Sequence, residues 1–133
     1  MKTVLCFGTF DGLHPGHEDY FRQAKALAHR LVVIVARDET VQEVKGRASR
    51  FDQDARVRSV ADHPLVTQAL LGQPGDKYDI IQQIRPDVIL LGYDQTTFTD
   101  RLAEELNRRA LVVDIQRAKA YHPEVYKSSK MYA

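Results

Sequence analysis

Five short, mainly apolar runs constrain this chain most: residues 4–7, 31–36, 66–71, 87–91 and 111–115. The first two lack the polar–apolar alternation of a strand with one face in water, and so read as strands covered on both faces; the other three are strand candidates. Helical patterns lie between them. One runs from Pro15 to about His29, with Tyr20, Phe21, Ala24, Leu27 and Ala28 at helical spacing. A short helix opens with Asp38 as its N-cap, another spans 51–62 with Asp52 as cap, and a third covers 78–84. The last is capped by Thr99 or Asp100 and ends near Arg109. His63-Pro64 closes the 51–62 helix, with His63 read as a surface residue. This alternation predicts an α/β fold: a Rossmann-like, doubly wound sheet of about five parallel strands with helices on both faces. Ligands of such sheets bind beyond the carboxyl ends of the strands, where strand order reverses.

The 133 residues make one domain, 1–133. With 44% hydrophobic and 28% charged residues, the chain is globular rather than disordered. A net charge of +1 favours neither a nucleic-acid partner nor a membrane surface. Cys6 is the one cysteine, which excludes an intrachain disulfide and a Cys-rich metal site. Mid-strand, it reads as a buried small residue. No leader pattern is visible and no run reaches about 18 apolar residues, so the chain reads as cytoplasmic.

Chemistry concentrates after the first run, in Gly8-Thr9-Phe10-Asp11-Gly12-Leu13-His14-Pro15-Gly16-His17. This is a strand–loop–helix corner. Pro15 suits the first helical position, and the two histidines three apart share one helix face. Free N–H groups and the positive end of the helix dipole make the corner an anion site. Asp11 either faces a metal or fixes the loop. Lys45-Gly46-Arg47-Ala48-Ser49-Arg50 is basic and aperiodic; it is a loop over a phosphate or a solvated surface loop. The Gly92-Tyr93-Asp94-Gln95 loop follows the 87–91 strand, on the same sheet edge as the first corner. Ser128-Ser129 forms a third phosphate-friendly segment.

The corner resembles the signature of the HxGH nucleotidyltransferases, with His14 and His17 matching position by position. The resemblance covers nearly the whole chain. It implies that His14 and His17 hold nucleotide phosphates, with Lys45 joining them in catalysis and the backbone of Gly8, Thr9 and Phe10 closing over the nucleotide. It implies that Gly92, Asp94 and Gln95 contact sugar and base, and that Ser128 and Ser129 form the second signature. Asp11, Lys45, Arg47 and Arg56 fall on the acceptor side. No residue is expected to ligate a metal directly, although a divalent cation, Mg2+, is expected to bridge the triphosphate.

Nucleotidyl transfer suits this inventory. An acceptor phosphate oxygen attacks the α-phosphorus of a nucleoside triphosphate and pyrophosphate leaves. That oxygen is already ionised at neutral pH, so positioning and charge stabilisation suffice. A bound polyanion would favour imidazolium at both histidines. Three stretches look like the archaeal-type FAD synthases, which join ATP to FMN: the Pro15 form of the corner, residues 33–41 and residues 91–98. Tyr93 departs from that branch, where proline is usual. The competing branch is the glycerol-3-phosphate cytidylyltransferases, which use CTP. A non-catalytic nucleotide-binding module is a further reading, and tRNA chemistry ranks last. Tyr93, Tyr121 or Tyr126 could stack on a flavin. A homodimer is expected from the resemblance.

Overall fold

The computed structural model describes residues 1–74, 78–93, 95 and 101–120. Elements follow in the order β1 (Thr3–Gly8), α1 (Pro15–Lys25), β2 (Arg30–Val35), α2 (Asp38–Lys45), α3 (Gln53–Ala61), β3 (Gln68–Leu71), α4 (Tyr78–Ile84), β4 (Val88–Leu91), α5 (Leu102–Arg108) and β5 (Asp114–Arg117). Among the described residues the sheet has five strands in the order β3-β2-β1-β4-β5. All neighbouring pairs are parallel. The expected doubly wound architecture is therefore present. Strand order reverses between β1 and β4, so the loops after these two strands flank the switch point.

The apolar runs lack alternation because both sheet faces are covered. Val4 and Cys6 of β1 pack with Phe21, Ala24 and Val60 of α1 and α3. Leu5 and Phe7 pack on the opposite face with Ile80 and Ile81 of α4 and with Leu102 and Leu106 of α5. Strands β2 and β4 divide in the same way. Each fully buried side chain of this size contributes roughly 1.5–3 kcal/mol, so this double burial far outweighs intrinsic strand preference. The edge strands differ: β5 exposes Asp114, Gln116 and Arg117, and β3 exposes Gln68. Cys6 is buried and its thiol is pushed up to about 12 by that burial, in keeping with an inert packing role.

Several expected boundaries move. Helix α1 stops at Lys25 rather than near His29; Leu27 and Ala28 still pack on the core, and the His29 and Arg30 N–H groups donate to the Lys2 carbonyl. The chain must turn there to lay β2 beside β1. The N-cap of α2 is Arg37, not Asp38, because the Asp38 carboxylate is taken by Arg56. Asp52 caps α3 as expected. His63 is not a surface residue: its side chain is 10% exposed, its Nδ1 accepts the Leu65 N–H and its ring meets Phe21 edge-on. Thr99 and Asp100 lie outside the described residues, and Arg101 stands at the N-cap of α5.

The fifth strand begins at Asp114, three residues after the apolar run starts. Leu111 belongs to the helix stop instead. Ala110 takes a left-handed conformation (φ 57), its N–H donates to Asn107 and the Leu111 N–H donates to Leu106. This is a Schellman motif, and the buried Leu111 and Leu106 share one cluster, as that motif favours.

Candidate active site

The corner after β1 is built by its own residues. His14 is the N-cap of α1, and Pro15 occupies the first turn. The Gly16 N–H donates to His14 Nδ1 at 3.1 Å, and the His14 N–H donates to His17 Nδ1 at 3.4 Å. The two histidines thus make a capping box, a role usually filled by Ser or Thr with Glu or Gln. The i, i+3 spacing serves the helix and stacks the rings, whose centroids are 3.8 Å apart.

This geometry fixes the tautomers. A neutral imidazole that accepts at Nδ1 carries its proton at Nε2. Each Nε2 therefore carries the proton, and the Gly12 backbone hydrogen-bonds the His17 ring. Burial lowers the His14 pKa. Burial, helped by the charges of His14 and Lys45, pushes His17 down to about 3. Without a ligand the pair is neutral. The imidazolium expected beside a bound polyanion requires the polyanion itself.

Phe10 shapes the loop. It is 3% exposed, takes a left-handed backbone (φ 55) and sets its ring edge-on to His17, with centroids 5.2 Å apart. A Cβ on Gly8 would come within 2.7 Å of that ring. Gly8 is thus needed for a close approach.

Asp11 resolves toward the loop-fixing alternative. Its carboxylate accepts the Arg50 N–H at 2.7 Å and the Phe51 N–H at 2.9 Å. It thereby anchors the end of the basic Lys45–Arg50 stretch beside the corner. Lys45 is exposed at the end of α2 and close enough to act on His17 electrostatically. Arg47 is half-buried, and the Arg50 guanidinium lies over the Phe51 ring.

Arg56 is corrected. It was expected to touch the acceptor, but its side chain is fully buried. Nε donates to Phe51 O, Nη1 to Thr9 O and Ala36 O, and Nη2 to Asp38 Oδ1. Arg56 in turn holds the Asp38 carboxyl below its usual pKa.

On the other flank, Gln95 folds back: its Oε1 accepts the Gly92 N–H, and its own N–H donates to Gly92 O. Arg117 of β5 then bridges Gly92 O at 2.7 Å and Gln95 O at 2.8 Å. Sequence reasoning missed Arg117, because only the β4–β5 pairing brings it there. Asp94, Ser128, Ser129, Tyr121 and Tyr126 lie outside the described residues. Tyr93 is half-buried.

A cavity of about 290 Å³ opens beside the corner, over the ends of β1, β2 and β3. Phe7, Ile34, Val41 and Ile80 give it apolar walls, Arg37 and Glu39 a charged edge, and Gly8 and Thr9 link it to the histidine corner. Among the described residues no three His, Cys, Asp or Glu side chains are grouped to hold a metal. Asp11 already accepts two backbone N–H groups.

Residues 5–132 match the cytidylyltransferase-like family profile. The chain belongs to this family. The match spans the histidine corner, the cavity beside it and the loop after β4. FAD synthase of Aciduliprofundum boonei is 40% identical over 91% of the chain and 80% of that protein. FAD synthase of Thermoplasma volcanium is 35% identical over 98% of the chain and 92% of that protein. FAD synthase of Methanothermobacter thermautotrophicus is 40% identical over 91% of the chain and 82% of that protein. The crystal structure of the lipopolysaccharide core biosynthesis protein from Thermoplasma volcanium superposes with a TM-score of 0.86 at 36% identity. It covers 91% of this chain and 98% of that one. Among the described residues no helix is long and apolar enough to cross a membrane.

Proposed function

We propose that this cytidylyltransferase-like enzyme transfers AMP from ATP to the phosphate of FMN, giving FAD and pyrophosphate. Its likeness to the FAD synthases of three archaea supports the choice of substrates. One structural observation carries the reading: Gly8 and Thr9 belong at once to the histidine corner and to the wall of the apolar cavity. An acceptor with a flat apolar head in that cavity presents its phosphate to the anion site. Glycerol 3-phosphate has no apolar part to occupy Phe7, Ile34, Val41 and Ile80, so the cavity favours a flavin over that acceptor.

The transfer needs no protein nucleophile. An FMN phosphate oxygen forms a bond to the α-phosphorus of ATP, the bond to the bridging oxygen breaks, and pyrophosphate departs with its electrons. The Nε2–H groups of His14 and His17, with the N–H groups at the start of α1, stabilise charge on the transferring and leaving phosphates. Lys45 and the basic loop that Asp11 anchors add positive charge on the acceptor side. Mg2+ enters with the triphosphate as part of the substrate. The enzyme works in the cytoplasm as a homodimer.

Purified protein incubated with Mg2+, FMN and ATP is the test, alongside CTP with glycerol 3-phosphate. FAD and pyrophosphate in equal amounts from the first mixture are expected. Product from only the second would assign the cytidylyltransferase reading. ATP binding with no pyrophosphate from either mixture would make the chain a binding module.

A further inference from the structure

The buried Arg56 connects the walls of the cavity. Its Nη1 bridges the Thr9 carbonyl at 2.9 Å and the Ala36 carbonyl at 2.7 Å. Thr9 follows β1 and Ala36 follows β2, and both line the cavity. Its Nη2 donates to Asp38 at 2.8 Å. Asp38 opens α2, whose Glu39, Thr40, Val41 and Val44 form a further wall. Nε holds Phe51 O at 3.0 Å. The same residue's N–H is held by Asp11. One guanidinium therefore ties the ends of two strands, the start of a helix and the loop before α3 into one frame. Only arginine offers five N–H groups in a fixed fork; lysine has three donors on one atom and cannot match four acceptors so spread.

We propose that Arg56 is a positioning residue that sets the shape of the acceptor cavity and never touches the acceptor. The inference rests on the reading that the cavity takes the flavin. Its side chain shows no solvent exposure, so the acceptor phosphate has no path to the guanidinium in this arrangement. The effect runs through Thr9 O and Ala36 O, whose separation one nitrogen fixes. If that separation drifts, the cavity wall and the phosphate-binding corner move relative to each other. Small misplacements of reacting groups have large effects on rate, about 10²-fold for 1 Å.

Riboflavin distinguishes this role from a phosphate contact, because it carries the flavin ring without the phosphate. Flavin fluorescence titrations of wild type, Arg56→Lys and Asp38→Asn test it, with ATP affinity by calorimetry as the control for fold. Asp38→Asn removes the ion pair and keeps the three backbone bonds, so it remains informative if Arg56→Lys fails to fold. The expectation for Arg56→Lys is that riboflavin and FMN weaken together, by about tenfold, as loss of one charged hydrogen bond allows. ATP affinity should hold within about twofold, and Asp38→Asn should shift both flavins together by a smaller factor. Weakening of FMN alone would make Arg56 a phosphate contact and overturn the proposal. Unchanged flavin affinities in both variants, or loss of ATP and flavin binding alike, would overturn it too. Wild-type protein that binds riboflavin but makes no FAD would sink the enzymatic reading and leave the cavity assignment standing.

Discussion

The imidazoles of His14 and His17 lie face to face, their planes 28° from parallel, with each Nδ1 accepting a backbone N–H. Two imidazolium charges about 4 Å apart would repel by roughly 1 kcal/mol in bulk water and about 4 kcal/mol at an effective dielectric constant of 20. The pair is therefore neutral until a polyanion arrives, with a proton on each Nε2. Asparagine at position 14 keeps a strong N-cap but lacks the Nε2 donor. His14→Asn should fold with little change in Tm and lose about 10²–10³ in kcat, the usual scale for one preorganised donor. Steady-state kinetics beside a melting curve check it; full turnover would mean that the ring serves only the helix.

The depressed His17 pKa makes stability depend on pH. Burial pushes the folded ring down to about 3 from an ordinary value of 6.5. As pH falls below 6.5 the unfolded chain binds a proton that the folded chain refuses. Ligand-free protein should hold its His17-linked stability above that pH and lose it progressively toward pH 3. Urea titrations across this range should show a steeper fall for wild type than for His17→Asn. Equal slopes would contradict the assignment.

Gly8→Ala should disturb the site through Phe10. The added methyl would sit 2.7–3.2 Å from three atoms of that ring. The ring is wedged against His17 and Phe21, so it cannot swing away freely. Overpacking of this kind costs about 1–3 kcal/mol. A lower Tm together with reduced kcat is expected; unchanged values for both would show that the loop yields without consequence.

Ala110→Gly should stabilise the protein. Ala110 sits at φ 57, the left-handed position of the α5 Schellman motif. Glycine removes the Cβ strain there, worth roughly 1–2 kcal/mol, and returns part of it as unfolded-state entropy. A gain of about 0.5–1 kcal/mol in urea unfolding is expected, with unchanged FAD formation; a loss of stability would contradict the reading.

The sheet was legible because β1, β2 and β4 bury both faces, which leaves runs such as Val4-Leu5-Cys6-Phe7 without polar interruption. The histidine corner was legible because a strand, glycines, Pro15 and paired histidines fall within ten residues. What failed was decided across the fold. Leu111 looks like a strand residue until the helix stop claims it. Asp38 looks like a cap until Arg56, 18 residues on, takes its carboxylate. Asp11 suits a metal or a loop equally in the sequence, and only the fold brings the Arg50 and Phe51 N–H groups onto it. Arg117 carries no local signal at all. It reaches Gly92 and Gln95 only because β5 pairs with β4.

A crystal structure of the protein with a non-hydrolysable ATP analogue tests the central claim most directly. The Nε2 atoms of His14 and His17 should each lie about 2.7–3.2 Å from a phosphate oxygen, with the triphosphate at the start of α1. A triphosphate bound elsewhere on the sheet edge, or both rings turned away from it, would contradict the account.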